Sequence, residues 1–292
     1  MTAALAGAEN QFGGGTSPGN GTDQLRWAAR LLDAPASGTV RRAVTEAVGN
    51  LASVVAHTAF DRGDHDAADE YLNLALDCAD KAPSWELRAS TLADMARKAI
   101  YLRQDDEALT LVELALVRSD RLTATARAML HTVRAGLFTR ARRHPEACDE
   151  IAQADSFLAE RDTSVDPPWL CYYDDAEHAG STGKALIPVA LATGDPGPSV
   201  KRLATAIRAH TETYPRSRVF SQIRLSRLLF ATGHPAEALA PGIAAVEDAA
   251  TIQSVRLTRE LAGLARAARA RPGDDTKQLC HAISAVTARA TV

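Results

Sequence analysis

The chain has 292 residues, 46% hydrophobic but only 5% aromatic, and carries a formal net charge of −3 at pH 7. That length can bury a large core, and an alanine-rich, aromatic-poor composition suits packed helices better than sheets. The near-neutral charge argues against a global basic field that would draw the chain onto nucleic acid.

Neither a basic-then-apolar leader nor an apolar run of about 18 residues occurs, so a cytoplasmic chain with no membrane partner is expected. Cys78, Cys148, Cys171 and Cys280 are isolated from one another, with no CxxC pair. They are expected to be reduced thiols within the core.

Residues 1–21 read as a flexible, glycine-rich arm, because Gly13-Gly14-Gly15-Thr-Ser-Pro18-Gly19-Asn-Gly21 is too glycine-rich to hold a helix. No strand precedes this passage and no Gly-Lys-Ser/Thr ends it, so it is not a phosphate-binding loop. Deleting the arm is expected to leave the melting temperature unchanged; docking through Phe12 is the alternative. From residue 22 to 292 a single helical repeat domain is expected. Thr22 or Asp23 caps a short helix that carries Leu25, Trp27, Leu31 and Leu32 and ends at Pro35 and Gly38.

A small–large–small skeleton then recurs with its residues four and three apart. It reads Ala68, Leu72, Ala75; Ala108, Val112, Ala115; Ala147, Ile151, Ala154; Ser199, Leu203, Ala206; and Ala238, Gly242, Ala245. Small residues seven apart share one helix face and let a neighbouring backbone come close. Gly63, Gly194 and Gly233 stand five residues before their copies, where a left-handed turn would end the preceding helix. The copies lie 40, 39, 52 and 39 residues apart, the signature of stacked helix pairs.

The expected pairs are 39–61 with 66–80, 85–102 with 105–118, 123–139 with 145–158, 167–193 with 198–211, and 218–231 with 235–250. Helices at 254–270 and 274–290 lack the full skeleton and read as a terminal cap. The fold class is therefore all-α, an α-solenoid of about five helix pairs with terminal capping helices.

The Gly-x4-Ala-x3-Φ-x2-Ala pattern resembles the second half of the tetratricopeptide repeat, at a period nearer 40 than 34 residues. That resemblance implies a right-handed superhelix with a concave groove. Two passages, Glu9-Asn-Gln-Phe-Gly-Gly-Gly15 and Trp169-Leu-Cys-Tyr-Tyr-Asp-Asp-Ala-Glu-His-Ala-Gly180, are similar to passages in the C-terminal sensor regions of actinobacterial Cro/repressor-type transcriptional regulators. Too little chain precedes residue 39 to form the helix-turn-helix domain of such proteins. The resemblance thus implies a regulatory binding module associated with transcriptional control rather than a repressor that acts alone. Such regulators commonly pair, so a homodimer is among the states it implies. The alternative is a stand-alone peptide or small-molecule receptor with no DNA-linked role.

In repeats of this type the first helix of each pair lines the groove. The skeleton's register then gives Asn50, Ser53, His57, Asp94, Arg97, Lys184, Arg224 and Arg227 as groove residues. The basic ones suit a carboxylate on a protein, peptide or small-molecule partner; the plain alternative is solvated or locally paired charge. The same rule would bury Arg134, which leaves the third repeat's register open by one turn. On one helix, Trp169, Tyr172 and Tyr173 would form an aromatic stripe beside Asp174, either core or an aromatic-lined pocket.

No metal or cofactor is expected, because Asp174 and His178 supply only two ligands and no HExxH occurs. No nucleophile elbow occurs, and Cys148 with His144 lacks an orienting third group, so no catalytic residue is expected. Basic residues recur at Arg127, Arg134, Arg140, Arg142 and Arg143, and again at Arg256, Arg259, Arg266, Arg269 and Arg271. They lack the interleaved aromatics that a single-strand binder would use.

Sequence-specific duplex binding is therefore not expected of this chain alone. Fluorescence anisotropy with genomic fragments should show only weak binding that fades as salt rises. Binding tighter than micromolar at about 150 mM salt that survives competitor duplex would contradict this reading.

Overall fold

The computed structural model describes residues 2–13, 18–210, 214–271 and 273–289, and among them every regular element is helical. The described chain groups into two compact units. The first comprises residues 2–6 and 18–173, and the second residues 7–13 and 174–289. The boundary at Tyr173 falls inside the widest gap between skeleton copies.

The arm differs from expectation. Helix α1 spans Thr2–Phe12, and α2 (Pro18–Ala29) begins before the expected cap at residue 22 or 23. Gly14 to Ser17 lie outside the described residues. In the first unit α2 precedes a 3-10 turn at Arg30–Asp33 and packs on α3 (Gly38–Arg62). Helix α3 pairs with α4 (His65–Lys81), α5 (Trp85–Tyr101) with α6 (Asp105–Leu116), and α7 (Ala124–Arg140) with α8 (His144–Ala159). In the second unit α9 (Asp175–Thr193) pairs with α10 (Gly197–Ala209), and α11 (Pro215–Ala231) with α12 (Pro235–Ala249). Helices α13 (Val255–Arg269) and α14 (Asp274–Arg289) form a further pair, with α13 against α11 and α14 against α12. The expected helix ends Thr211 and Ala290 lie outside the described residues.

Local chemistry fixes these boundaries. Ser37, Asp64, Ser84, Thr123, Asp174 and Ser254 each cap a helix by accepting the backbone N–H three residues on. Proline occupies the first turn of α8, α10, α11 and α12, where its missing N–H costs nothing.

All fifteen skeleton residues are buried, and Ala68, Ala75, Ala108, Ala147, Ala154, Ala206, Ala238 and Ala245 have 0% exposure. The position five before each copy is left-handed throughout, at Gly63 (φ 85°), Arg103 (69°), Arg142 (59°), Gly194 (77°) and Gly233 (89°). At four of them the next residue's N–H reaches back to a helical carbonyl: Asp64 to Ala59, Gln104 to Ala99, Arg143 to Phe138 and His234 to Leu229. That bond closes a Schellman turn, so the turn persists even where arginine replaces glycine.

The longest departure is at residues 160–174. A helix from 167 was expected there, but only a 3-10 turn at Pro168–Leu170 forms, and α9 starts at Asp175. Pro167 and Pro168 each remove a donor and disfavour helix in the residue before them. The 52-residue spacing therefore comes from inserted non-helical chain and not from a longer helix.

The second unit holds the C-terminal part of α1. Arg216 grips the Glu9 carboxylate through both guanidinium ends, with Nη2 to Oε2 at 2.8 Å, and both side chains are nearly buried. The Phe12 carbonyl accepts from Gln253 N–H at 2.9 Å. Gly13 (φ 81°) lies so close that an added Cβ would fall 2.1 Å from Gln253 O. The expectation that the arm contributes nothing to stability no longer follows.

Gly194→Ala isolates the cost of the left-handed turn, because no atom lies within 4 Å of the added Cβ. It should destabilise the fold by about 1–2 kcal/mol in urea denaturation. An unchanged midpoint would mean the α9 terminus relaxes out of this conformation.

Candidate functional site

Within each unit the first helices of successive pairs are neighbours: α3 with α5 and α5 with α7, then α9 with α11 and α11 with α13. In the first unit His57 Nε2 lies 3.0 Å from Asp94 Oδ2, and Arg97 Nη1 donates to Asp94 Oδ1 at 2.8 Å. Burial opposes ionisation of Asp94, but His57 and Arg97 outweigh it and hold the carboxyl below its ordinary pKa. Ser53, one turn before His57, is buried, and its Oγ has no hydrogen-bond partner among the described residues. Asn50 is half-buried one turn further back. Of these five expected residues, His57, Asp94 and Arg97 meet, and their charges are largely satisfied by one another.

The third repeat spends its charges too. Glu150 accepts Arg134 Nε and Nη2 at 2.8 Å each, and His131 Nδ1 stands 2.7 Å from Glu150 Oε2. Arg134 is therefore turned toward α8, which resolves the open register. Arg140 makes a two-point contact with Asp105, and Arg143 pairs with Glu146. The basic stretch from Arg127 to Arg143 is in large part an ion-paired surface.

The aromatic passage belongs to the core. Tyr173 is 3% exposed, and its hydroxyl lies 2.7 Å from Thr132 Oγ1 and donates to Ala128 O at 3.3 Å. Trp169 and Tyr172 pack half-buried against the same cluster. With no helix from 167 to 174, no stripe forms. Asp174 is the cap of α9, accepting Glu177 N–H at 2.9 Å. His178 is buried, and among the described residues no group of three or more His, Cys, Asp or Glu could hold a metal. Of the cysteines only Cys78 and Cys280 are core residues, whereas Cys148 and Cys171 are exposed. A cavity of about 230 Å³ beside α4, α5 and α6 has the Lys98–Asp69 ion pair in its lining.

The second unit differs. Glu177, Ser181 and Lys184 follow one face of α9, Phe220, Arg224 and Arg227 one face of α11, and Arg256, Glu260 and Gly263 one face of α13. Arg227 is held by Glu260, and its guanidinium also lies 3.2 Å from where a Gly263 Cβ would stand. Ser181 Oγ donates to Glu177 Oε1 at 2.8 Å. The guanidinium carbons of Arg224 and Arg256 lie 5.2 and 5.5 Å from the buried Phe220 ring centre. Lys184 and Arg224 have no hydrogen bond or ion pair among the described residues. Arg224 is the main reason the Lys184 ammonium is pushed down to about 7, followed by loss of hydration; Arg256 adds to this, while Glu260 and Glu177 oppose it. Loss of hydration also lowers the pKa of Arg224 itself. Lys184, Arg224 and Arg227 were legible from register. Phe220, Arg256, Glu260 and Glu177 were not singled out as groove residues, although each stands one or two turns along the same faces.

No protein-family model and no curated protein matches the sequence. The crystal structure of BtubC (BKLC) from P. vanneervenii is similar in fold. It aligns with a TM-score of 0.55 and 16% identity over 79% of this chain and 89% of that one. At that identity the likeness concerns fold alone. None of the described helices is long and apolar enough to cross a membrane.

Asp94→Asn should cost about 1–3 kcal/mol at pH 7, because His57 and Arg97 lose their charged partner. A carboxylate whose folded pKa is depressed stabilises above the unfolded value and ceases to do so as pH falls through the folded one. The gap between parent and variant in urea denaturation should thus be full at pH 5 and above, and close below the ordinary value of 3.8. A gap that persists unchanged at pH 3 would assign the loss to shape rather than charge.

Proposed function

We propose that this chain is a non-enzymatic recognition module. It is built as a right-handed solenoid of tetratricopeptide-like helix pairs, and the face formed by α9, α11 and α13 binds an anionic group of a protein, peptide or small molecule. The resemblance to regulator sensor regions suggests transcriptional control as its setting. One observation carries the reading: Lys184 and Arg224 face each other as like charges that no described carboxylate pairs. By contrast, Arg134, Arg140, Lys98 and Arg216 each meet an Asp or Glu. A perturbed, mutually repelling pair on a shared helix face is what an anion site looks like before its ligand arrives.

A thermal-shift screen with peptides and metabolites tests the reading, since a ligand of the folded state raises the melting temperature with the logarithm of its concentration. Stabilising compounds should carry carboxylate or phosphate groups and lose their effect in Arg224→Met. Cationic or neutral hits that stabilise parent and variant equally would overturn it.

A further inference from the structure

His210 ends α10, where its backbone N–H donates to Ala206 O at 2.9 Å, and it is 6% exposed. Neither ring nitrogen has a hydrogen-bond partner among the described residues. A neutral imidazole offers one donor and one acceptor, and sealing both from water without partners costs stability. His131 in the first unit, by contrast, has Glu150 2.7 Å from its Nδ1.

The ring sits where α9, α10 and α11 meet. A Cβ added to Gly180 of α9 would stand 3.8 Å from His210 Nε2, 3.4 Å from Ala206 Cβ of α10 and 3.0 Å from Ser221 Oγ of α11. Nε2 thus lies beside bare glycine backbone, in the seam between α9 and α11. Charges reach it from both sides. Asp174 and Glu177 of α9 favour a proton on the ring, and Arg218 and Arg224 of α11 disfavour one. Burial is the largest influence, and it holds the ring below its ordinary pKa of 6.5. Arg218 is itself held by Asp248 of α12 at 3.1 Å, and on α10 Arg208 donates to Thr205.

We propose that His210 is an acid-operated latch of the second unit: while neutral it lets α9, α10 and α11 close, and its protonation opens the seam between α9 and α11. With the seam open the ring ionises near 6.5, and with the seam closed below it, so the open form binds the proton more tightly. Closure is therefore at full strength above pH 6.5. It weakens as pH falls toward the closed-state value, by up to about tenfold in the closed-to-open ratio per pH unit.

A second consequence rests on the anion-binding reading above. Lys184 stands one turn beyond Gly180 on α9, and Arg224 one turn beyond Ser221 on α11. The two cations thus flank the seam, and opening it parts them. Lys184 gains its proton as pH falls through about 7, which strengthens anion binding. The latch acts below 6.5 in the opposite sense, so affinity should peak between the two transitions.

Hydrogen exchange on the full chain, read by mass spectrometry and corrected for the intrinsic effect of pH, tests the latch. From pH 7.5 to 5.5, peptides of α9, α10 and α11 should lose protection by about fivefold or more. Peptides of α3 to α8 should not, because His57 and His131 there face carboxylates that favour their charged forms. His210→Leu and His210→Asn cannot take up the proton and should remove the response; either one that folds suffices. His178, also buried on α9, is present in parent and variants alike, so the difference belongs to His210. Equal loss in parent and variants, or no loss in the parent, would overturn the latch. Sulfate, a dianion throughout this range, tests the consequence by isothermal titration calorimetry. Its affinity should fall by about fivefold or more from pH 6.5 to 5.5 in the parent and hold in the variants. Tighter sulfate binding at pH 5.5 that needs His210 would overturn the latch and make the ring part of the site. No sulfate binding at any pH would count against the anion-binding reading, and the exchange result would then decide the latch by itself.

Discussion

Close helix approach at small side chains is the constraint from which the rest of this structure follows. Ala68 and Ala75, like Ala238 and Ala245, reach zero exposure where the helices of a pair pack together. The two polar small residues at such places fit only by bonding to the partner backbone. Ser199 Oγ donates to Gly183 O at 2.8 Å, and Ser226 Oγ to Ala238 O at 2.7 Å. Helices this close must also be joined by a tight connection. The left-handed residue before each pair's second helix meets that need, and its recurrence at Arg103 and Arg142 shows that packing outweighs a local cost of about 1–2 kcal/mol.

The same regularity explains what could be read from sequence. Helix period and capping residues were strong signals in the paired helices, and most of their ends fall within about two residues of expectation. The passage from 167 to 174 failed because three aromatics at helical spacing look alike on a helix and in a packed loop. Only Pro167–Pro168 at its start and the Asp174 cap signal at its end argue for the loop. Helix α1 was missed because its glycine-rich sequel dominated the reading, while the Glu9–Arg216 pair joins residues 207 apart. No local pattern encodes that contact.

For the charged positions, register identified the face but not the partner. His57, Asp94 and Arg97 were expected to look into a groove, and they meet one another. Arg134 was the awkward position because its carboxylate, Glu150, sits on α8. Lys184, Arg224 and Arg227 were expected on the same grounds as these, yet Arg224 and Lys184 were left without a partner. Sequence spacing places a side chain on a face; whether an opposite charge waits there depends on the neighbouring pair, some forty residues distant.

That contrast is also the argument for function. A folded chain gains little from exposed ion pairs but loses more from like charges held together, since repulsion is relieved only by solvent, by a shifted proton or by a ligand. At Lys184 the repulsion is relieved by a shifted proton. A shifted proton is not open to Arg224, whose guanidinium stays charged at any physiological pH while packed on Phe220. In the first unit comparable arginines have carboxylates within 3 Å. One Asp or Glu substitution on α9 or α13 would have given Arg224 the same. The fold keeps a cation in an unfavourable place that it could have neutralised at small structural cost, and local cost of that kind is expected where binding, not stability, sets the residue.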